Sequence, residues 1–234
     1  MGKIVYKYVN EHIIAKVCGY DMLVDTGTNR TILLDQFGLI RIDGKMYTID
    51  KQDVLADERA KMEQFIGCRI DGFLGTDIMG NLAVIAIEKP INNKGYIYTG
   101  EDAKEFINSS VKNEVDIEDM RVTATVNGHP NCKVYLDTGA KYGYGRKELY
   151  EGLAPISKED DYNPDIRLHD FKLDYYGRLT VEINNKAYEI KMAYNEVVEE
   201  IHLNRYGLDV ICNIMYMCEN YSVIDFVNNK LYLN

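Results

Sequence analysis

The chain repeats itself, and the repeat limits what it can fold into. Two segments share one grammar: an alternating strand, a tight turn, a second strand, then Asp-Thr-Gly. In the first, IIAKV runs through Cys18-Gly19 into MLVDTGT. In the second, VTATV runs through Asn127-Gly128, a strong hairpin signal, into KVYLDTGA. Asp137 follows Asp25 by 112 residues, close to half of the 234-residue chain. A second matched pair, DGFLGTDIM at Asp71 to Met79 and DVICNIMYM at Asp209 to Met217, aligns without gaps at an offset of 138. Each member precedes a β-rich stretch with Asn-Asn-Lys at a turn. Such self-similarity implies a duplicated lobe, with 26 extra residues between the two motifs of the second copy.

Short runs of β-branched and aromatic residues dominate both halves and predict strands. One helix is expected from Asp53 to Ile66, stopped by Gly67, and a weaker one from Glu101 to Ile107. The polar, acidic stretch from Asn108 to Glu118 reads as a linker, giving an N-terminal lobe of 1–117 and a C-terminal lobe of 118–234. The terminal segments KIVYKYV and KLYLN are strand-like and expected to pair across the lobes. Lys+Arg 27 against Asp+Glu 37 gives a net charge of −10, so no chain-wide basic field exists to hold nucleic acid or an anionic membrane. No apolar run reaches the ~18 residues of a membrane span. The N-terminus has neither a signal-peptide core nor, with Tyr6 where Ser or Thr is needed, a myristoylation signal. A cytoplasmic protein is expected. Cys18, Cys68, Cys132, Cys212 and Cys218 are odd in number and lack CxxC spacing, which argues for reduced thiols over a disulfide framework or a zinc site.

An Asp-Thr-Gly tripeptide is expected by chance about 0.07 times in a chain of this composition, so two copies in one context carry weight. Each Asp follows two apolar residues, Leu23-Val24 and Tyr135-Leu136, which carries a carboxylate off a buried strand into a glycine turn. Burying an acid there twice is costly unless it serves a purpose. On Asp25-Thr26-Gly27-Thr28, Asp137-Thr138-Gly139-Ala140 and the later Phe73-Leu74-Gly75, the chain resembles the aspartic proteases of the pepsin and retropepsin group, over nearly its whole length. The second lobe departs from the pattern at Ile211-Cys212-Asn213, where Asn replaces Gly; Asn is the side chain that best tolerates a left-handed backbone there.

The resemblance implies a mostly β, bilobal fold in which each lobe is a small closed barrel-like sheet with one or two short helices. It also implies an aspartic endopeptidase that acts on polypeptide without metal or cofactor, as a monomer carrying both half-sites. Asp25 and Asp137 would share one proton and activate a water. Thr26 and Thr138 would brace the two loops, while Gly27 and Gly139 would let backbone N–H groups approach the carboxylates. Thr28 offers a hydroxyl to Asp25 whereas Ala140 offers none to Asp137, which makes Asp25 the expected ionised partner. The extra residues of the second lobe, Asp165 to Tyr188, fall where the family carries its flap, with Leu168, His169 and Asp170 at the tip. With Asp25 so near the start, no inhibitory prosegment upstream of the first lobe is expected. The alternative is a silent module of the same fold that binds peptide or protein without cutting it. A thiol enzyme using Cys68 or Cys212 is a third reading.

Overall fold

The computed structural model describes residues 2–108, 113–162 and 170–234, the side chain of Asp170 excepted. Strand accounts for 50% of the chain and helix for 20%, so the protein is mostly β. In chain order the strands are β1 Lys3–Val9, β2 His12–Val17, β3 Tyr20–Val24, β4 Ile32–Leu34, β5 Gly38–Ile42, β6 Lys45–Gln52, β7 Gly72–Leu74, β8 Val84–Glu88, β9 Lys94–Thr99 and β10 Asn113–Asp116. Then follow β11 Arg121–Val126, β12 His129–Leu136, β13 Gly143–Gly145, β14 Ser157–Tyr162, β15 Asp170–Ile183, β16 Lys186–Tyr194, β17 Val210–Cys212, β18 Tyr221–Asp225 and β19 Lys230–Leu233. The α-helices of the first half are α1 Ala56–Ile66, α2 Thr76–Asn81 and α3 Gly100–Asn108.

Hairpins form where the sequence offers residues that accept two successive positive φ angles, the geometry whose twist matches that of paired strands. Cys18-Gly19 (φ 49° and 93°), Asp43-Gly44 (50° and 80°), Asn127-Gly128 (47° and 83°) and Asn184-Asn185 (50° and 62°) all do so. Helix α1 begins three residues later than Asp53, because Leu55 is extended and provides no side-chain cap. It ends at Gly67, whose left-handed backbone (φ 85°) lets its N–H reach the Glu63 carbonyl at 2.9 Å.

The chain divides into two compact units, 1–117 with 218–234, and 118–217. This differs from the expected lobe of 118–234 at the C-terminus, for a plain reason. The β18–β19 hairpin is laddered to β8 on one side and β10 on the other, so its hydrogen bonds lie in the first unit's sheet. That sheet has twelve strands in the order β10-β19-β18-β8-β9-β1-β2-β3-β7-β4-β6-β5. The N- and C-terminal strands do not pair directly: β1 lies between β9 and β2, and β19 between β10 and β18. Part of the expected linker is strand β10 itself. Helix α3 covers the sheet by packing Ala103 and Phe106 against Val84, Ala86, Tyr221 and Val223.

The second unit is a sheet of order β11-β12-β17-β13-β16-β15-β14 in which β15 returns to pair with β11, closing a six-strand barrel. The first unit departs from the expected closed barrel. Its strand β5 ends the sheet and, among the described residues, has no ladder to β2. The gap is bridged by a side chain instead: the Cys18 thiol accepts from the Arg41 N–H (3.0 Å) and donates to the Arg41 carbonyl (3.5 Å).

Candidate active site

Each Asp-Thr-Gly loop leaves a strand that runs parallel to a short middle strand. In the first unit β3 pairs with β7, Leu23 opposite Phe73 and Val24 opposite Leu74. In the second β12 pairs with β17, Tyr135 opposite Ile211 and Leu136 opposite Cys212. The middle strand is also antiparallel to the strand that follows the loop: Ile32 faces Phe73 on β4, and Tyr144 faces Ile211 on β13. The sequence offsets of 112 and 138 thus recur as hydrogen-bond register.

An acid anchors the start of each middle strand. The Asp21 N–H donates to Asp71 Oδ2 (2.9 Å) and the Asp71 N–H to the Asp21 carbonyl (2.7 Å). The Lys133 N–H donates to Asp209 Oδ2 (2.8 Å) and the Asp209 N–H to the Lys133 carbonyl (2.9 Å). The preceding carbonyl in each unit takes an arginine, Arg59 on Ile70 (2.8 Å) and Arg146 on Leu208 (2.7 Å). These acids were not singled out from the sequence; the available signal was that both head the aligned nine-residue segments.

The two motif aspartates are presented alike. Both are half-buried. The Asp25 N–H donates to the Leu74 carbonyl at 3.0 Å and the Asp137 N–H to the Cys212 carbonyl at 2.8 Å, which ties each loop to the end of its middle strand. The Gly27 N–H donates to Asp25 Oδ1 and the Gly139 N–H to Asp137 Oδ1, both at 2.8 Å. One carboxylate oxygen is therefore held by its own loop, an Asx-type turn that fixes the side chain's direction. Thr26 and Thr138 are fully buried, each 0% exposed.

Behind the loops the units differ. In the first, a Cβ on Gly75 would lie 2.7 Å from the Arg30 carbonyl carbon and 2.9 Å from its nitrogen and oxygen, so only glycine fits. The bonding there is supplied from elsewhere. The Gly75 N–H donates to the Thr31 hydroxyl (2.9 Å), which donates to Asp77 Oδ1 (2.6 Å), and that oxygen also accepts from the N–H groups of Thr31 and Ile78. In the second unit Asn213, 0% exposed, takes this place. Its amide donates to the Thr138 (3.2 Å) and Ala140 (3.0 Å) carbonyls, and its Oδ1 accepts from the Met215 N–H (2.9 Å).

Two expectations are corrected here. Neither position is left-handed: Gly75 has φ −95°, and Asn213 is not among the residues of positive φ. Close approach and hydrogen bonding, not backbone handedness, decide the residue. The Thr28 hydroxyl donates to the Arg30 carbonyl (3.4 Å) and not to Asp25, which removes the ground for making Asp25 the ionised partner.

Of the expected flap tip, Leu168 and His169 lie outside the described residues. Asp170 opens β15, in register with Tyr162. Tyr175 and Tyr176 are engaged in ring packing with Tyr142 and Tyr150. Burial pushes the Cys212 thiol far up, and the charge of Asp137 adds to it; burial also raises Cys68. Neither is an activated thiolate, so the thiol-enzyme reading loses its nucleophile. Among the described residues no group of three or more His, Cys, Asp or Glu side chains converges as metal ligands, and no helix is long and apolar enough to cross a membrane. No protein-family model matches the chain, and no curated protein matches it significantly in sequence.

Proposed function

We propose that the chain is an aspartic-type endopeptidase with a pepsin- or retropepsin-like bilobal fold, acting on polypeptide as a cytoplasmic monomer, with Asp25 and Asp137 as its catalytic pair. One observation carries the reading. Two Asp-Thr-Gly loops hang on the same three-strand framework, with the same Gly N–H on the same carboxylate oxygen, once in each unit. A turn aspartate of purely local use has no need of a matched copy.

On this reading each carboxyl keeps the oxygen not held by its own glycine for shared chemistry. Two carboxylates brought to about 3 Å cannot both ionise, so the pair holds one proton. The ionised member takes a proton from a water, the water oxygen attacks the peptide carbonyl carbon, and the protonated member donates to the carbonyl oxygen. Collapse of the tetrahedral species returns a proton to the leaving amine and restores the pair. The buried amide of Asn213 supports this reading by satisfying the second loop's carbonyls where the family's glycine is missing.

The test is cleavage of a peptide library by the full chain. Asp25→Asn and Asp137→Asn should each lower the rate by ~10³-fold or more, and a pepstatin-like inhibitor should raise the melting temperature of the wild type but not of Asp25→Asn. Cleavage that survives either substitution contradicts the assignment. Peptide-induced stabilisation without any cleavage would favour the silent binding module.

A further inference from the structure

The second unit buries an acid that the proposed chemistry does not use. Asp161 on β14 is 3% exposed. Its Oδ1 accepts from the Tyr162 N–H (2.8 Å), and its Oδ2 has no hydrogen-bond partner among the described residues. Phe171 stands directly opposite it on β15, so the two side chains share a face. Phe171 in turn packs into a cluster with Tyr142, Leu173, Ala193 and Val198. Tyr142 and its neighbour Lys141 continue the Asp137-Thr138-Gly139-Ala140 loop, and the Lys141 carbonyl is fixed by the Tyr216 hydroxyl (2.6 Å).

Among the described residues the other charges on β14 are engaged elsewhere, and the Lys141 ammonium lies over the Tyr142 ring, 4.9 Å from its centroid. Glu159 takes the Ser157 hydroxyl (2.6 Å), Lys158 pairs with Asp174 (2.9 Å), and Asp160 pairs with Lys172. The helical segment 196–204, packed on the cluster through Val198 and Ile201, carries Glu196, Glu199, Glu200 and His202. Burial dominates at Asp161 and pushes its carboxyl up to about 7, against the Tyr162 N–H and the charge of Lys141, which both favour the ionised form.

We propose that Asp161 is a positioning residue for the loop bearing Asp137, acting through Lys141 and governed by its own protonation. The neutral carboxyl lets β14 rest against apolar neighbours. Ionisation places a charge where one oxygen lacks a donor among the described residues, and a cation whose charge favours that ionised form is Lys141, four residues beyond Asp137. Loss of the proton therefore draws on the loop itself. Only the consequence for hydrolysis rests on the endopeptidase reading; the coupling does not.

The test follows the Asp161 carboxyl carbon by NMR through a pH titration of the full chain, with assignment by its loss in Asp161→Asn. The expected midpoint is near 7, and one near 4 overturns the proposal. In Lys141→Met the midpoint should rise, because a cation favouring the ionised form is gone; an unchanged midpoint overturns the coupling. The Ala140 amide should show a pH-dependent shift at the Asp161 midpoint that disappears in Asp161→Asn, and an amide blind to that step overturns the positioning role. Should Asp161→Asn not fold, the Lys141→Met shift and the Ala140 amide decide alone. Absence of hydrolysis would count against the endopeptidase reading and leave these titrations intact.

Discussion

In the first unit a glycine makes room and the bonding comes from Thr31 and Asp77; in the second an asparagine fills the room and does the bonding itself. The barrel seam shows the same contrast. Thr125 and Val126 ladder with Glu182 and Val181, and the Asn127 N–H reaches the Thr180 carbonyl at 2.9 Å, whereas the first unit spans the gap with the Cys18 thiol. What is shared lies in front, at the aspartates; what has diverged lies behind them. Duplicated halves can exchange one solution for another wherever backbone groups only need a partner, and cannot where a carboxylate must point in a set direction.

That contrast can be broken at several points. The largest effect is expected at the shared front, where Asp25→Asn and Asp137→Asn should be equally damaging to peptide cleavage, ~10³-fold or more; unequal losses in single-turnover assays would mean that the halves are not equivalent.

Next is the pH response of the second unit alone, since β14 and Asp161 belong to it. A carboxyl raised in the native state binds its proton more tightly there than in the unfolded chain, so its stabilising effect is complete below about 4 and is lost as pH rises towards 7. Over that window the second unit should lose on the order of 4 kcal/mol. Hydrogen exchange read separately in the two units would show it. A slope shared equally by the first unit would contradict the assignment.

Behind the loops, Gly75→Asn should cost the first unit about 3 kcal/mol, because its Cβ meets the Arg30 backbone. Asn213→Gly should cost the second about 2 kcal/mol, by orphaning the Thr138 and Ala140 carbonyls and the Met215 N–H. Urea unfolding of each variant checks both, and a tolerated Gly75→Asn would sink the steric account. The smallest effect is Cys18→Ala, at about 0.5 kcal/mol, since the thiol is exposed and its bonds are weak. Protection of the Arg41 amide should fall while that of Glu182 is unchanged.

The sequence made the repeat, the motif aspartates and the hairpin turns legible because each depends on local chemistry: a glycine or asparagine at positive φ, an acid after two apolar residues. Asp71 and Asp209 were visible as the heads of matching segments, yet their task, holding the backbone of a strand about 50 and 76 residues away, is a contact that no short window contains. Asn213 drew notice for the wrong property, since a sequence shows what a residue tolerates at φ but not that a neighbouring backbone needs donors. The placement of 218–234 was missed because strands alike in pattern do not declare which sheet edge they will join. Asp161 is one acid of a polar run, SKEDDY, and only the pleat turns it inward while Asp160 faces water.

The account depends on one carboxyl from each half sharing a proton, and the most direct test is a high-resolution crystal structure that measures the closest oxygen separation between Asp25 and Asp137. The prediction is about 3 Å. A separation beyond about 6 Å leaves no proton to share and contradicts it.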